Sequence, residues 1–120
     1  MPDKHISSIM QTVHSIHPSA SVEETVNEMS SQGTDAILIK QGEEYIGIFT
    51  RADLIKLLEK NADPAGVSVS KVMSKPIFSL DAATTFEEAR KKMVEKNIRH
   101  YSVTQNGKIV GIISIMDLEL

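Results

Sequence analysis

The chain has 120 residues, 41% of them hydrophobic and 24% charged, with no cysteine and a formal net charge of −3. That is one domain's worth of soluble globular protein; it excludes a disulfide framework or a thiolate metal site, and its acidic balance argues against broad binding to nucleic acid. No apolar run approaches the roughly 18 residues of a membrane span, and Met1-Pro2-Asp3-Lys4-His5 lacks the charged-then-apolar pattern of a secretory signal, so a cytoplasmic protein without a membrane partner is expected.

Aromatic residues are few, with three Phe, two Tyr and no Trp, so the core must be aliphatic with help from six Met. Ile6-Ser7-Ser8-Ile9-Met10 predicts a short helical turn that leads into an extended segment, Val13-His14-Ser15-Ile16. Ser21 and Glu24 have capping-box spacing, and Val22, Val26 and Met29 make the apolar stripe of the helix that follows. That helix should end near Gly33, a residue that tolerates a left-handed cap. Ala36–Ile39 and Tyr45–Phe49 read as strands flanking the turn Gln41-Gly42-Glu43-Glu44. A second helix starts at Thr50 and runs through Leu54, Ile55, Leu57 and Leu58, and Asn61–Gly66 reads as a linker.

The same series then recurs. Val69-Ser70-Lys71-Val72-Met73 opens it, Ile77–Leu80 is extended, and Thr85 with Glu88 caps a helix carrying Phe86, Ala89 and Met93 that should end near Asn97. Tyr101–Val103 and Ile109–Ile113 flank Gln105-Asn106-Gly107-Lys108, where Asn-Gly is a strong hairpin signal. A last helix begins at Ser114, with at most about two turns' worth of residues before Leu120. From Val22/Phe86 to Leu54/Leu118 the offset stays at 64 without a gap; at the openings it is 63. An internal repeat of this size decides the architecture. The expected organisation is repeat 1 over residues 1–60, a linker over 61–68 and repeat 2 over 69–120. The expected fold is α+β, each repeat being strand–helix–strand–strand–helix. Half the chain is marginal alone, so the repeats should pack sheet to sheet with helices outside and a pseudo-two-fold axis between them.

The strongest motif is Gly-apolar-apolar-Thr/Ser-x-x-Asp-Leu, at Gly47–Leu54 and again at Gly111–Leu118. It sets a hydroxyl and a carboxylate where a strand meets a helix start. Two readings stand side by side. A carboxylate accepts two hydrogen bonds and suits the vicinal hydroxyls of a ribose, with the glycine letting a flat ring approach the strand. Alternatively, Thr50 with Asp53 and Ser114 with Asp117 are simply helix caps.

With its doubled unit, each copy ending in this motif, nearly the whole chain resembles a tandem pair of CBS domains, the Bateman module. The resemblance implies a disc-like module whose clefts bind AMP, ADP, ATP, S-adenosylmethionine or sometimes NAD, and which regulates enzymes, channels or kinases or stands alone. It places ribose recognition on Thr50 and Asp53 and on Ser114 and Asp117. It places the base near His14 and Ile37, and near Phe78 and Tyr101. The phosphate falls to basic residues of the opposite repeat, Arg99 and His100, with Arg51 nearby; their counterparts are Asp35, Ala36 and Ile115. One phosphate-competent cleft at Asp53 is therefore expected, and at Asp117 one that is empty, weak or suited to an uncharged group.

The function implied is a regulatory module that senses an adenosyl nucleotide and requires no cofactor; the alternatives are a structural or dimerisation module, or S-adenosylmethionine or NAD binding. A homodimer and a regulated protein of unknown identity are the implied partners. His5, His14, His17 and His100 lack metal-ligand spacing, so no metal site is expected. No nucleophile–base arrangement marks an enzyme.

Overall fold

In the computed structural model, which describes residues 4–118, the doubled pattern becomes two three-stranded sheets of identical topology. Met1-Pro2-Asp3 and the Glu119-Leu120 end of the last expected helix lie outside the described residues. In one sheet β1 (Ser15–Ile16) runs parallel to β2 (Ala36–Gln41), which is antiparallel to β3 (Glu44–Thr50). A parallel pair needs a crossover, and α1 (Val22–Gln32) supplies it; α2 (Arg51–Glu59) follows β3. The other sheet repeats this with β4 (Ser79–Asp81), α3 (Phe86–Lys96), β5 (His100–Gln105) and β6 (Lys108–Ser114).

Local chemistry accounts for the helix limits. Ser21 Oγ accepts from Glu24 N at 3.0 Å while Glu24 Oε1 accepts from Ser21 N at 2.9 Å. Thr85 and Glu88 make the same reciprocal pair at 3.2 Å each. The backbone hydrogen bond from Ser21 and the hydroxyl of Thr85 are the main causes holding the Glu24 and Glu88 carboxyls below their usual range. Gly33 and Asn97 end the two helices in the left-handed conformation, with φ of 66° and 53°. The stripe on α1 differs slightly from expectation. Thr25 is fully buried, where Val26 is only partly so. Its hydroxyl donates to Ser21 O at 2.8 Å, which satisfies the polar atom within the helix.

Both hairpins turn at the residues that the sequence marked. Gln41 pairs with Glu44 and Gln105 with Lys108. Asn106 and Gly107 both take positive φ, 53° and 79°, as a two-residue hairpin loop requires. Each hairpin also carries a register shift at the same place, between Ile39 and Lys40 and between Val103 and Thr104.

The compact units do not coincide with the sequence repeats. His14–Ile77 forms one unit; residues 4–13 join residues 78–118 in the other. Each repeat's opening 3-10 turn is thus given to the other repeat's sheet. Ile6, from the turn Ile6–Ser8, is fully buried with Leu80, Ala89, Met93, Tyr101, Val103, Ile113 and Leu118. Val69, from the turn Val69–Lys71, is fully buried with Val22, Met29, Ile37, Ile39, Phe49 and Leu57. Backbone bonds seat the turns: Val69 N donates to Ala20 O at 2.8 Å and Ile6 N to Thr84 O at 2.9 Å.

One element departs from the expected pattern. The counterpart of α2 is a 3-10 turn, Ile115–Leu118. A 3-10 turn needs fewer residues per bond than an α-helix, and the Arg90 guanidinium ties it down by donating to Leu118 O. Among the described residues no helix is long and apolar enough to cross a membrane.

Candidate functional site

Thr50 and Ser114 are the last residues of β3 and β6, and each begins the turn into the next element. Their backbone N–H groups are there unpaired by any ladder, and the carboxylate three residues on takes them. Thr50 N donates to Asp53 Oδ2 at 3.0 Å, joined by Thr50 Oγ1 at 3.3 Å. Ser114 N donates to Asp117 Oδ2 at 2.8 Å. The capping reading of the motif is therefore physically present in both copies.

Capping is not the whole arrangement, because each carboxylate has a second partner that lies far away in sequence. Ser74 Oγ donates to Asp53 Oδ1 at 2.8 Å. Gln11 Nε2 donates to Asp117 Oδ1 at 2.9 Å and to Oδ2 at 3.0 Å. Both partners arrive on the short segment that follows an opening 3-10 turn. That segment crosses the edge of β3 or β6 through a two-bond bridge. Ile48 and Ser74 exchange bonds of 3.0 and 2.8 Å, and Ile112 and Gln11 bonds of 3.0 and 2.7 Å. Asp53 is buried, only 6% exposed, and Asp117 is partly exposed.

The motif glycine has a purpose that the sequence did not suggest. A Cβ at Gly47 would lie 2.5 Å from Met73 Sδ and 3.1 Å from Ser74 O; at Gly111 it would lie 2.6 Å from Met10 Sδ. The absent side chain makes room for the methionine of the crossing segment. The glycine thereby lets the donor at the next position reach the carboxylate.

Within each unit the strands gather several of the sequence-predicted residues at one sheet end. Ala36 pairs with Thr50, and Leu38 N donates to His14 O at 3.0 Å, so His14, Ile37 and Thr50 lie together. The Ile37 side chain is fully buried in the aliphatic core. In the other unit His100 pairs with Ser114, and Ser102 N donates to Phe78 O at 2.9 Å. The Phe78 and Tyr101 rings lie 6.2 Å apart, with Phe78 41% exposed and Tyr101 only 3% exposed. The Tyr101 hydroxyl has no hydrogen-bond partner among the described residues, and burial pushes its pKa up. The basic residues divide. Arg51 follows Thr50, and its N donates to Asp35 O at 3.2 Å; Arg99 O accepts from Ile115 N at 2.8 Å, beside Ser114. Both arginines are exposed.

Sequence reasoning missed Gln11 and Ser74. The only available signal was their matching place after Met10 and Met73 in the two openings. Among the described residues no three His, Asp or Glu side chains converge as metal ligands.

The CBS-domain family model matches residues 6–60 and 69–119. An uncharacterized protein of Methanopyrus kandleri is 32% identical over 104 residues, covering 84% of this chain and 53% of its own length. The chain thus spans about half the length of that relative. The hexameric CBS-CP12 protein of bloom-forming cyanobacteria superposes with a TM-score of 0.87 at 26% identity, covering 96% of this chain and 69% of that one. A CBS domain protein of Pyrobaculum aerophilum, solved in complex with AMP, superposes with a TM-score of 0.84; at 20% identity over 98% of this chain and 92% of that one, the likeness concerns the fold. With two matched repeats covering most of its length, and with both repeats folded alike, the chain belongs to the CBS-domain family.

Proposed function

We propose that this CBS-domain chain is a regulatory ligand-binding module for an adenosyl nucleotide of the AMP, ADP or ATP class. The observation that carries the reading is the repeated carboxylate, Asp53 and Asp117, held at a strand end by a backbone N–H. Such a carboxylate keeps a fixed orientation and still has acceptor capacity for a sugar hydroxyl. The AMP complex of the Pyrobaculum aerophilum relative supports the ligand class.

In this reading Thr50, Asp53, Ser114 and Asp117 recognise ribose. His14, Ile37, Phe78 and Tyr101 lie against the base; Ile37, fully buried, offers backbone groups alone. Arg51, Arg99 and His100 meet the phosphate, where the planar guanidinium fork suits phosphate oxygens. The role is non-catalytic. The ligand transmits a signal only through its differential affinity for two arrangements of the module.

Calorimetric titration with AMP, ATP, S-adenosylmethionine and NAD tests the proposal on wild type, Asp53→Ala and Asp117→Ala. The expected result is binding of AMP or ATP that weakens at least tenfold with Asp53→Ala, about 1.4 kcal/mol. Absence of binding by all four ligands refutes it.

Self-association has its own support. Ile55 and Leu58 lie one turn apart on α2, 51% and 50% exposed. Adjacent exposed aliphatic side chains on one helix face suit a second copy of the chain, and the CBS-CP12 relative is hexameric.

A further inference from the structure

We infer that Gln11 is a built-in competitor for the carboxylate of Asp117, so that this carboxylate takes a vicinal diol only after Gln11 swings away; the inference rests on the adenosyl reading above. Gln11 Nε2 lies 2.9 and 3.0 Å from the two oxygens of Asp117, so its amide sits across the carboxylate and is shared between both. Two adjacent sugar hydroxyls address the same pair of oxygens. With Ser114 N also on Oδ2, the diol positions of this carboxylate are filled from within the protein.

The other unit has the same backbone and a different side chain. The bridges Gln11↔Ile112 and Ile48↔Ser74 are equivalent, as are Gly47 and Gly111 beneath Met73 and Met10. At Asp53 the crossing segment supplies a single hydroxyl, Ser74 Oγ, to Oδ1 alone. The other side-chain donor there is Thr50 Oγ1, 3.3 Å from Oδ2, so incoming sugar hydroxyls replace hydroxyls, like for like. At Asp117 a charge-assisted amide contact must leave both oxygens at once. Displacing Gln11 is a rotamer change of a long, partly exposed side chain, so the block is reversible. A site that is competent only in a fraction of molecules has its affinity lowered by that fraction. The asymmetry between the two sites is thereby set by what faces each carboxylate, Gln11 or Ser74, independently of any phosphate contact.

The experiment titrates adenosine and AMP into the full chain as wild type, Gln11→Ala, Asp53→Asn and Asp53→Asn/Gln11→Ala, the last pair isolating the Asp117 site. Circular dichroism checks folding. Side-chain amide NMR of Gln11 in the wild type gives a second readout that needs no variant. The expected result is about tenfold tighter adenosine and AMP binding at the Asp117 site when Gln11 is alanine, with the Gln11 amide signal moving as adenosine fills that site in the wild type. Equal affinity with and without Gln11 overturns the inference, as does a Gln11 amide signal that stays put at saturation. AMP binding that depends on Asp53 with no site gained in Gln11→Ala overturns the competitor alone. No binding of either compound by wild type or by Gln11→Ala overturns the competitor and the adenosyl reading together.

Discussion

Replacing Gly47 by alanine tests how the crossing segment reaches Asp53. The new Cβ would stand 2.5 Å from Met73 Sδ, 2.9 Å from Met73 Cγ and 3.1 Å from Ser74 O. Comfortable carbon contacts lie at about 3.5–4.0 Å, so all three atoms must retreat. The thioether is flexible and can give way. Ser74 O cannot do so freely, because it accepts from Ile48 N at 3.0 Å. Overpacking of this kind costs about 1–3 kcal/mol. Alanine restricts the unfolded chain and returns about 0.4–1 kcal/mol, leaving a net loss of about 1–2 kcal/mol. With a urea slope of about 1–2 kcal/mol per molar, the midpoint should fall by roughly 1 M. Equilibrium urea unfolding followed by circular dichroism measures this. Met73→Ala should relieve the clash, so Gly47→Ala/Met73→Ala should be about 1 kcal/mol more stable than the sum of the single variants predicts. A midpoint unchanged in Gly47→Ala, or strict additivity in the double variant, refutes the close-approach explanation.

Tyr101→Phe should stabilise the protein by about 1 kcal/mol, because the buried hydroxyl has no partner among the described residues and a phenylalanine removes its desolvation cost. Burial raises the Tyr101 pKa above the ordinary 10.0, so the folded chain keeps a proton that the unfolded chain releases. Wild-type stability should therefore decline as pH rises above 10.0 and Tyr101→Phe should lessen that decline, both read by thermal melts; a destabilised Tyr101→Phe contradicts the account. Leu58→Glu, at a position half exposed on α2, should reduce the assembly mass seen by light scattering without lowering the melting temperature of the chain. An unchanged mass, or a wild type that is already monomeric, counts against self-association through this face.

Much of the fold was legible from local signals. Ser21 with Glu24 and Thr85 with Glu88 act within four residues of one another, and Gly33 and Asn97 mark the helix ends through their own backbone freedom. Asn106-Gly107 folds its hairpin for the same reason. Thr50–Asp53 and Ser114–Asp117 were legible as pairs because they too are local. The 3-10 form of Ile115–Leu118 was less so, since the apolar pattern there fits either kind of helix.

The sequence by itself determined the duplication, the helix caps, the turns and the two carboxylates at strand ends, because each depends on neighbours in the chain. Only the tertiary structure decided what those carboxylates meet. Gln11 lies 106 residues from Asp117, and Ser74 lies 21 from Asp53. The opening turns of the two repeats exchange units, and that exchange brings in the donors. Periodicity and spacing report which face of an element is apolar; they do not report which distant segment crosses it. Gly47 and Gly111 show the same limit, since their need for hydrogen in place of a side chain arises from Met73 and Met10 lying against the strand.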